Sequence, residues 1–236
     1  MTSGVKRTSK VQALQEQFVC QVEYWRLQPT AAIIGPMSTT TFHFESFEAF
    51  SPFSDVGPYR AADYWQLPEG APIELIKGRF VVSPSPIPRH QIVLLLLSEH
   101  FLRIARNSGG VVLFAPMDVV FSDDTILQPD LLYITQQRRG IIRQRVEGAP
   151  DLVIEIISGT SRRDRVEKLD IYARFGVGEY WIVDPETQLF EFLINEGDRF
   201  TVHSPVNDRY QSSRLPEVEI QLADFWREVE ERLPSS

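Results

Sequence analysis

Apolar and polar residues change period repeatedly along the chain, and the changes mark out its elements. Residues 61–67 carry a short helical pattern, and two apolar runs, 73–76 and 79–83, flank Lys77-Gly78 and predict a β-hairpin. Pro84, Pro86 and Pro88 lead into a helix over about 90–107, closed by Gly109-Gly110. It is apolar over most of its circumference, which predicts a largely buried helix. Strands follow near 111–121 and 130–134, then a basic loop near 136–148 and an apolar strand over 151–157. A helix over 161–175, a strand over 179–184, a hairpin of 188–194 with 199–204 and a helix over 222–233 complete the pattern. Helices interleaved with strands predict a mixed α/β fold around one sheet.

Before residue 60 the pattern is weak. Val11, Leu14, Phe18 and Val22 recur at helical spacing, but residues 38–60 are rich in Phe, Ser and Pro without a period. Met37 followed by a Ser/Thr run resembles a natural start, so residues 1–36 read as an over-extended start. The expected division is an N-terminal extension over 1–59 and one folded domain over 60–236. A chain of 236 residues with 43% hydrophobic positions is long enough for one generous core. The longest purely apolar run, Ile92 to Leu97, is far short of the roughly 20 residues of a membrane span. No apolar stretch follows Lys6, Arg7 and Lys10, so no secretory signal is expected. The lone Cys20 excludes an internal disulfide framework and suits a reducing cytoplasm.

The net charge of −8 changes meaning once it is located. Residues 1–178 balance at 19 basic and 19 acidic, whereas 179–236 hold 5 basic and 13 acidic residues and so carry the whole excess. Between Arg138 and Lys168 eight bases face five acids, a locally basic stretch able to hold phosphate or simply to solvate a loop and a helix face. Only four lysines stand against 20 arginines. A lysine in such company offers a tunable ammonium that arginine lacks. No lysine precedes Ser or Thr, and G-x-G-x-x-G, H-E-x-x-H and G-x-S-x-G are absent. His43, His90, His100 and His203 do not pair at metal-ligand spacing. Chemistry must therefore rest on carboxylates and lysine.

Strand alternation over 151–157 puts Asp151, Val153, Glu155 and Ile157 on one face, with Glu155 mid-strand among aliphatic neighbours. An ionised carboxylate there needs a cation or a metal beside it. Asp130 opens the apolar strand that follows Pro129, and two acids at neighbouring strand ends make an oxygen-ligand site for Mg²⁺ or Mn²⁺. On the helix over 161–175, ideal winding places Lys168 between Phe175 and Tyr172 inside the apolar sector, with Asp164, Lys168 and Tyr172 at i, i+4, i+8. Glu167, Asp170 and Arg174 fall on the solvated face. From these residues alone two readings stay open: a catalytic group, or a buried Glu155–Lys168 pair that lends specificity to the fold. Asp164 is equally open as a site residue or as an offset to the neighbouring arginines. Glu74 is undecided, His90 fits helix capping or packing, and Glu99–Arg103 reads as a surface i,i+4 pair.

The string Gly148-Ala-Pro-Asp-Leu-Val-Ile-Glu-Ile-Ile-Ser158, followed by Arg163-Asp-Arg-Val-Glu-Lys168 with Tyr172 and by Gly176-Val-Gly-Glu-Tyr-Trp-Ile-Val-Asp-Pro185, resembles the signature of the Uma-two family. These are restriction-endonuclease-like proteins of bacteria related to the PD-(D/E)xK nucleases. Glu74-Leu-Ile-Lys-Gly-Arg-Phe-Val-Val82, His90 and Gln128-Pro-Asp-Leu-Leu132 match the same pattern in the same order. The resemblance covers roughly 60–230.

It implies a restriction-endonuclease-like αβββαβ core, a mixed central sheet flanked by helices, with an added C-terminal hairpin and helix. It implies a metal-dependent endonuclease that hydrolyses phosphodiester bonds, of DNA rather than RNA, with Mg²⁺ or Mn²⁺ at Asp130 and Glu155. Asp151 is a second candidate for the motif aspartate. The lysine position two residues after Glu155 is Ile157, so the lysine role passes to Lys168 on the helix. Glu74, His90, Asp164 and Tyr172 would line the site, and Arg143, Arg145, Arg162, Arg163 and Arg165 would hold the nucleic-acid backbone. Cutting two strands raises the expectation of a homodimer. The competing expectation is a nuclease-fold protein that binds nucleic acid or a protein without cutting, favoured by the acidic net charge and the missing adjacent lysine.

Overall fold

The structure, a computed structural model, describes residues 57–83, 85–157 and 164–233. The expected extension over 1–59 lies, through residue 56, outside the described residues, as do Arg162 and Arg163 and the side chains of Asp164 and Arg165.

The first helix, α1 (Ala61–Tyr64), precedes the hairpin of β1 (Ile73–Ile76) and β2 (Arg79–Val82). Lys77 and Gly78 both adopt positive φ, 49° and 77°, as a two-residue turn with right-handed strand twist requires. Pro88 opens α2 (Pro88–Ser108), and Gly109 closes it in the left-handed conformation at φ 75°. Then come β3 (Val111–Phe114), β4 (Val119–Ser122), β5 (Thr125–Leu127), β6 (Leu131–Ile134), a 3₁₀ turn over Gln136–Ile141, and β7 (Val146–Glu147). After β8 (Leu152–Ile156), a wide π-helical turn, Asp164–Lys168, runs into α3 (Leu169–Phe175). The chain continues through β9 (Glu179–Asp184), β10 (Leu189–Asn195), β11 (Phe200–His203), β12 (Arg209–Gln211) and β13 (Glu219–Gln221) to α4 (Leu222–Arg232).

The six-stranded sheet has the order β11-β10-β9-β8-β6-β3. Its β8–β9 pair is parallel, joined by the crossover through α3, and its other pairs are antiparallel. On one face α2 and α4 pack Val93, Leu97, Phe101, Trp226 and Val229 against Leu152, Ile154, Trp181 and Phe192. The other face, carrying Leu132, Val153, Tyr180 and Ile182, packs with Val119, Leu127 and Val146 of a second sheet and with Ile171 and Tyr172 of α3. This is the expected αβββαβ core with its added hairpin and terminal helix.

Other expectations are corrected. The fold carries a second, five-stranded sheet, β2-β1-β5-β4-β7, where one sheet was expected. The run over 111–121 splits because Pro116 has no N–H for a ladder; β3 stays in the first sheet and β4 joins the second. The β12–β13 pair has strands of only three residues, too short to show a period. Helix α2 is less buried than its apolar circumference predicts: Leu95 and Leu102 remain 46% and 38% exposed. Glu99 pairs with Arg232 at 3.4 Å across to α4, not with Arg103. No helix among the described residues is long and apolar enough to cross a membrane.

Candidate active site

The alternation read on β8 is realised: Leu152, Ile154 and Ile156 pack beneath the helices, while Val153 and Ile157 lie in the layer between the sheets. Glu155 shares that second face and is buried. On β6, Leu131 pairs with Ile154 and Leu132 with Val153, so one further step sets Asp130 opposite Glu155. Pro129 cannot extend the ladder, and the Asp130 side chain substitutes for it: Oδ2 accepts the N–H of Ile156 at 2.7 Å. The Asp130 carbonyl accepts from Ala115 N at 3.0 Å, which fixes the residue from its other side. Asp130 Oδ1 has no hydrogen bond among the described residues. His90, in the first turn of α2, brings Nε2 to 3.3 Å from Asp130 Oδ2.

Lys168 is buried and bridges two carboxylates. Its ammonium donates to Glu155 Oε1 at 2.9 Å and pairs with Glu74 Oε1 at 3.0 Å. Glu74 also accepts the backbone N–H of Gln128 at 2.8 Å. The fully buried Tyr172 donates its hydroxyl to Glu155 Oε1 at 2.6 Å. Burial first, and then the Glu155 and Glu74 carboxylates, push the Tyr172 phenol well above its ordinary range, so it remains a donor. Lys168 thus points inward as expected, but ideal α-helical winding misplaces its neighbours. The wide turn over Asp164–Lys168 leaves Val166 60% exposed, although the even pattern put it in the apolar sector. Phe175, placed beside Lys168 in that sector, is 40% exposed.

The described residues of this cluster set three carboxylates, Glu74, Asp130 and Glu155, against one ammonium. A carboxylate in such a setting needs hydrogen-bond donors or a cation beside it. Among the described residues no group of three His, Cys, Asp or Glu side chains converges as a metal cage. The residues that could hold a metal are the carboxylate pair Asp130 and Glu155. It fits Mg²⁺ or Mn²⁺, hard ions that take one or two carboxylates and complete their shell with water and phosphate oxygens.

The structure thus brings together Glu74, His90, Asp130, Glu155, Lys168 and Tyr172. Asp151 is removed from this site: its carboxylate accepts from Thr135 N at 2.8 Å and Arg138 at 3.2 Å, at the far end of β6. Arg139 donates there to the Gly110 carbonyl. Arg143 is exposed on the loop before β7. Arg145 lies over the Trp65 ring, its guanidinium carbon 3.4 Å from the centroid.

Gln128 was given no role from sequence, yet it ties β1 to α1 and to the residue beside β4. Its N–H holds Glu74, and its side-chain amide donates to Asp118 Oδ1 at 3.0 Å and to Tyr64 Oη at 3.1 Å. Its one sequence signal is its place before Pro129-Asp130. A groove of about 670 Å³ between β10, β11 and α4 contains none of these residues.

No curated protein matches the chain. A solved structure, described as "Crystal structure of a putative nuclease belonging to DUF820" from Anabaena variabilis ATCC 29413, is 18% identical, with a TM-score of 0.61 over 73% of this chain and 99% of that chain. At that identity the likeness speaks for the fold alone. Residues 61–230 match the Uma2 family, described as "Putative restriction endonuclease", and the chain belongs to that family.

Proposed function

We propose that this protein is a metal-dependent endonuclease that hydrolyses phosphodiester bonds in DNA. The family's description supports a nuclease. The observation that carries the chemistry is Asp130 opposite Glu155, with Lys168 bonded to that same glutamate. Asp130 and Glu155 would hold Mg²⁺ or Mn²⁺, which when bound polarises the phosphate and makes a coordinated water more acidic.

The chain's own residues do the rest. The Ile156 N–H fixes Asp130 Oδ2 and leaves Oδ1 for a ligand. Tyr172 and Lys168 both bond Glu155 Oε1, which orients that carboxylate. Lys168, kept in place by Glu74 and Glu155, supplies the positive charge that stabilises the phosphorane-like transition state or orients the attacking water. The arginines carry the backbone contacts, which give affinity without base readout.

The competing reading, a nuclease fold that binds without cutting, draws on the same pair, since an ammonium engaged by two carboxylates is also a structural bridge. The assay is cleavage of plasmid DNA, single-stranded DNA and RNA with Mn²⁺ or with EDTA, wild type beside Asp130→Ala. Metal-dependent cutting of DNA that disappears in Asp130→Ala supports the enzyme. DNA binding without cutting under every metal condition supports the binding module.

A further inference from the structure

The candidate site includes Glu74 of β1, in the five-stranded sheet, and the register of that sheet sets further residues in a row. Val119 of β4 pairs with Leu127 of β5 and with Val146 of β7. One step beyond both pairs sets Gln128, Asp118 and Arg145 side by side. The contacts agree: Gln128 Nε2 donates to Asp118 Oδ1 at 3.0 Å, Val146 N to the Asp118 carbonyl at 3.1 Å, and Arg145 Nε lies 4.0 Å from Asp118 Oδ2. At the other end of the row Gln128 N holds Glu74 at 2.8 Å, and Glu74 holds Lys168. Glu74, Gln128, Asp118 and Arg145 therefore cross four neighbouring strands, from the buried lysine to a guanidinium with 35% of its side chain exposed.

The state of that guanidinium is specific. It lies on the Trp65 ring at 3.4 Å, with its Nε edge toward Asp118, and its NH1 and NH2 have no hydrogen-bond partner among the described residues. Arg138 and Arg139 are instead spent on Asp151 and on the Ala149 and Gly110 carbonyls. A planar fork already stacked and oriented loses little freedom when it meets a phosphate, and two parallel N–H donors match two phosphate oxygens. A plain pin between α1 and β7 would need the stack but not the unspent donors.

We propose that Arg145, seated on Trp65, is a phosphate-holding subsite for the nucleic-acid strand that passes the Asp130–Glu155 pair. It lies three strand spacings, roughly 14 Å, from β1, the strand that carries Glu74. The inference rests on the nuclease reading and deepens it.

The test is binding of a fluorescently labelled DNA duplex in EDTA over a series of salt concentrations, comparing wild type with Arg145→Gln and Arg145→Lys. Glutamine keeps a flat group on Trp65 without charge. Arg145→Gln should weaken binding about tenfold and lower the salt slope by about 0.9, the contribution of one phosphate contact. Arg145→Lys should keep the salt slope while weakening affinity, because the charge remains and the fork is lost. Wild-type affinity and slope in Arg145→Gln overturn the subsite and leave the nuclease reading standing. A wild-type protein that binds no DNA at any salt concentration overturns both.

Discussion

Asp130 and Glu155 stand opposite each other where the β6–β8 ladder ends, and the Asp130 carboxylate takes the hydrogen bond that the strand itself gives up at Pro129. One oxygen accepts the Ile156 N–H, and the other has no hydrogen bond among the described residues. Asp130→Asn separates the two roles. Its amide oxygen can still accept from Ile156, so stability should stay within about 1 kcal/mol of wild type in urea unfolding. Its charge is gone, so Mn²⁺ affinity measured by calorimetry should fall at least about 100-fold.

Glu74 is the second carboxylate on Lys168, and it holds Gln128 N at the same time. Glu74→Gln retains an acceptor for both donors while removing one buried charge. A loss of about 1–2 kcal/mol is expected. Glu74→Ala, which strips the pair of a partner and orphans the Gln128 N–H, should cost about 3–5 kcal/mol. Denaturant titration of the two variants measures the difference.

What the sequence made legible follows from how each residue acts. Glu155 declared itself because a charged residue in the middle of an aliphatic strand has few explanations, and Lys168 because it interrupts an apolar helix face. Both were readable from period alone, even though the wide turn over Asp164–Lys168 breaks the ideal spacing. Asp130 and Glu155 were expected at neighbouring strand ends, but that they stand directly opposite needed the register, which no local pattern contains. The second sheet was hidden because β5 and β7 have three and two residues, too few to alternate visibly. Gln128 escaped because its contact to Glu74 is made by its main chain, which carries no side-chain signature. The basic stretch was visible as charge, but only structure separates Arg145 on Trp65 from Arg138 and Arg139, which are bonded elsewhere.

The buried phenols fix a pH dependence. Burial raises Tyr133 to about 12, and burial followed by the Asp118 and Glu179 carboxylates lifts Tyr64 and Tyr210, like Tyr172, higher still. In the unfolded chain these groups ionise near pH 10, so above that pH the unfolded state binds fewer protons than the folded one. Their contribution is complete below about pH 10 and declines as pH rises through about 12 for Tyr133 and beyond for the others. Difference absorbance should show a deficit of tyrosinate near pH 11 in the folded protein, restored by urea.

Lys168 decides between a catalytic centre and a structural bridge, so the most direct measurement is single-turnover DNA cleavage by Lys168→Gln, alongside its Mn²⁺ affinity and circular dichroism. A catalytic lysine predicts a folded variant that binds Mn²⁺ within about tenfold of wild type and cuts at least about 100-fold more slowly. A folded, metal-binding Lys168→Gln that cuts DNA at the wild-type rate would contradict the account and leave Lys168 as a structural partner of Glu74 and Glu155.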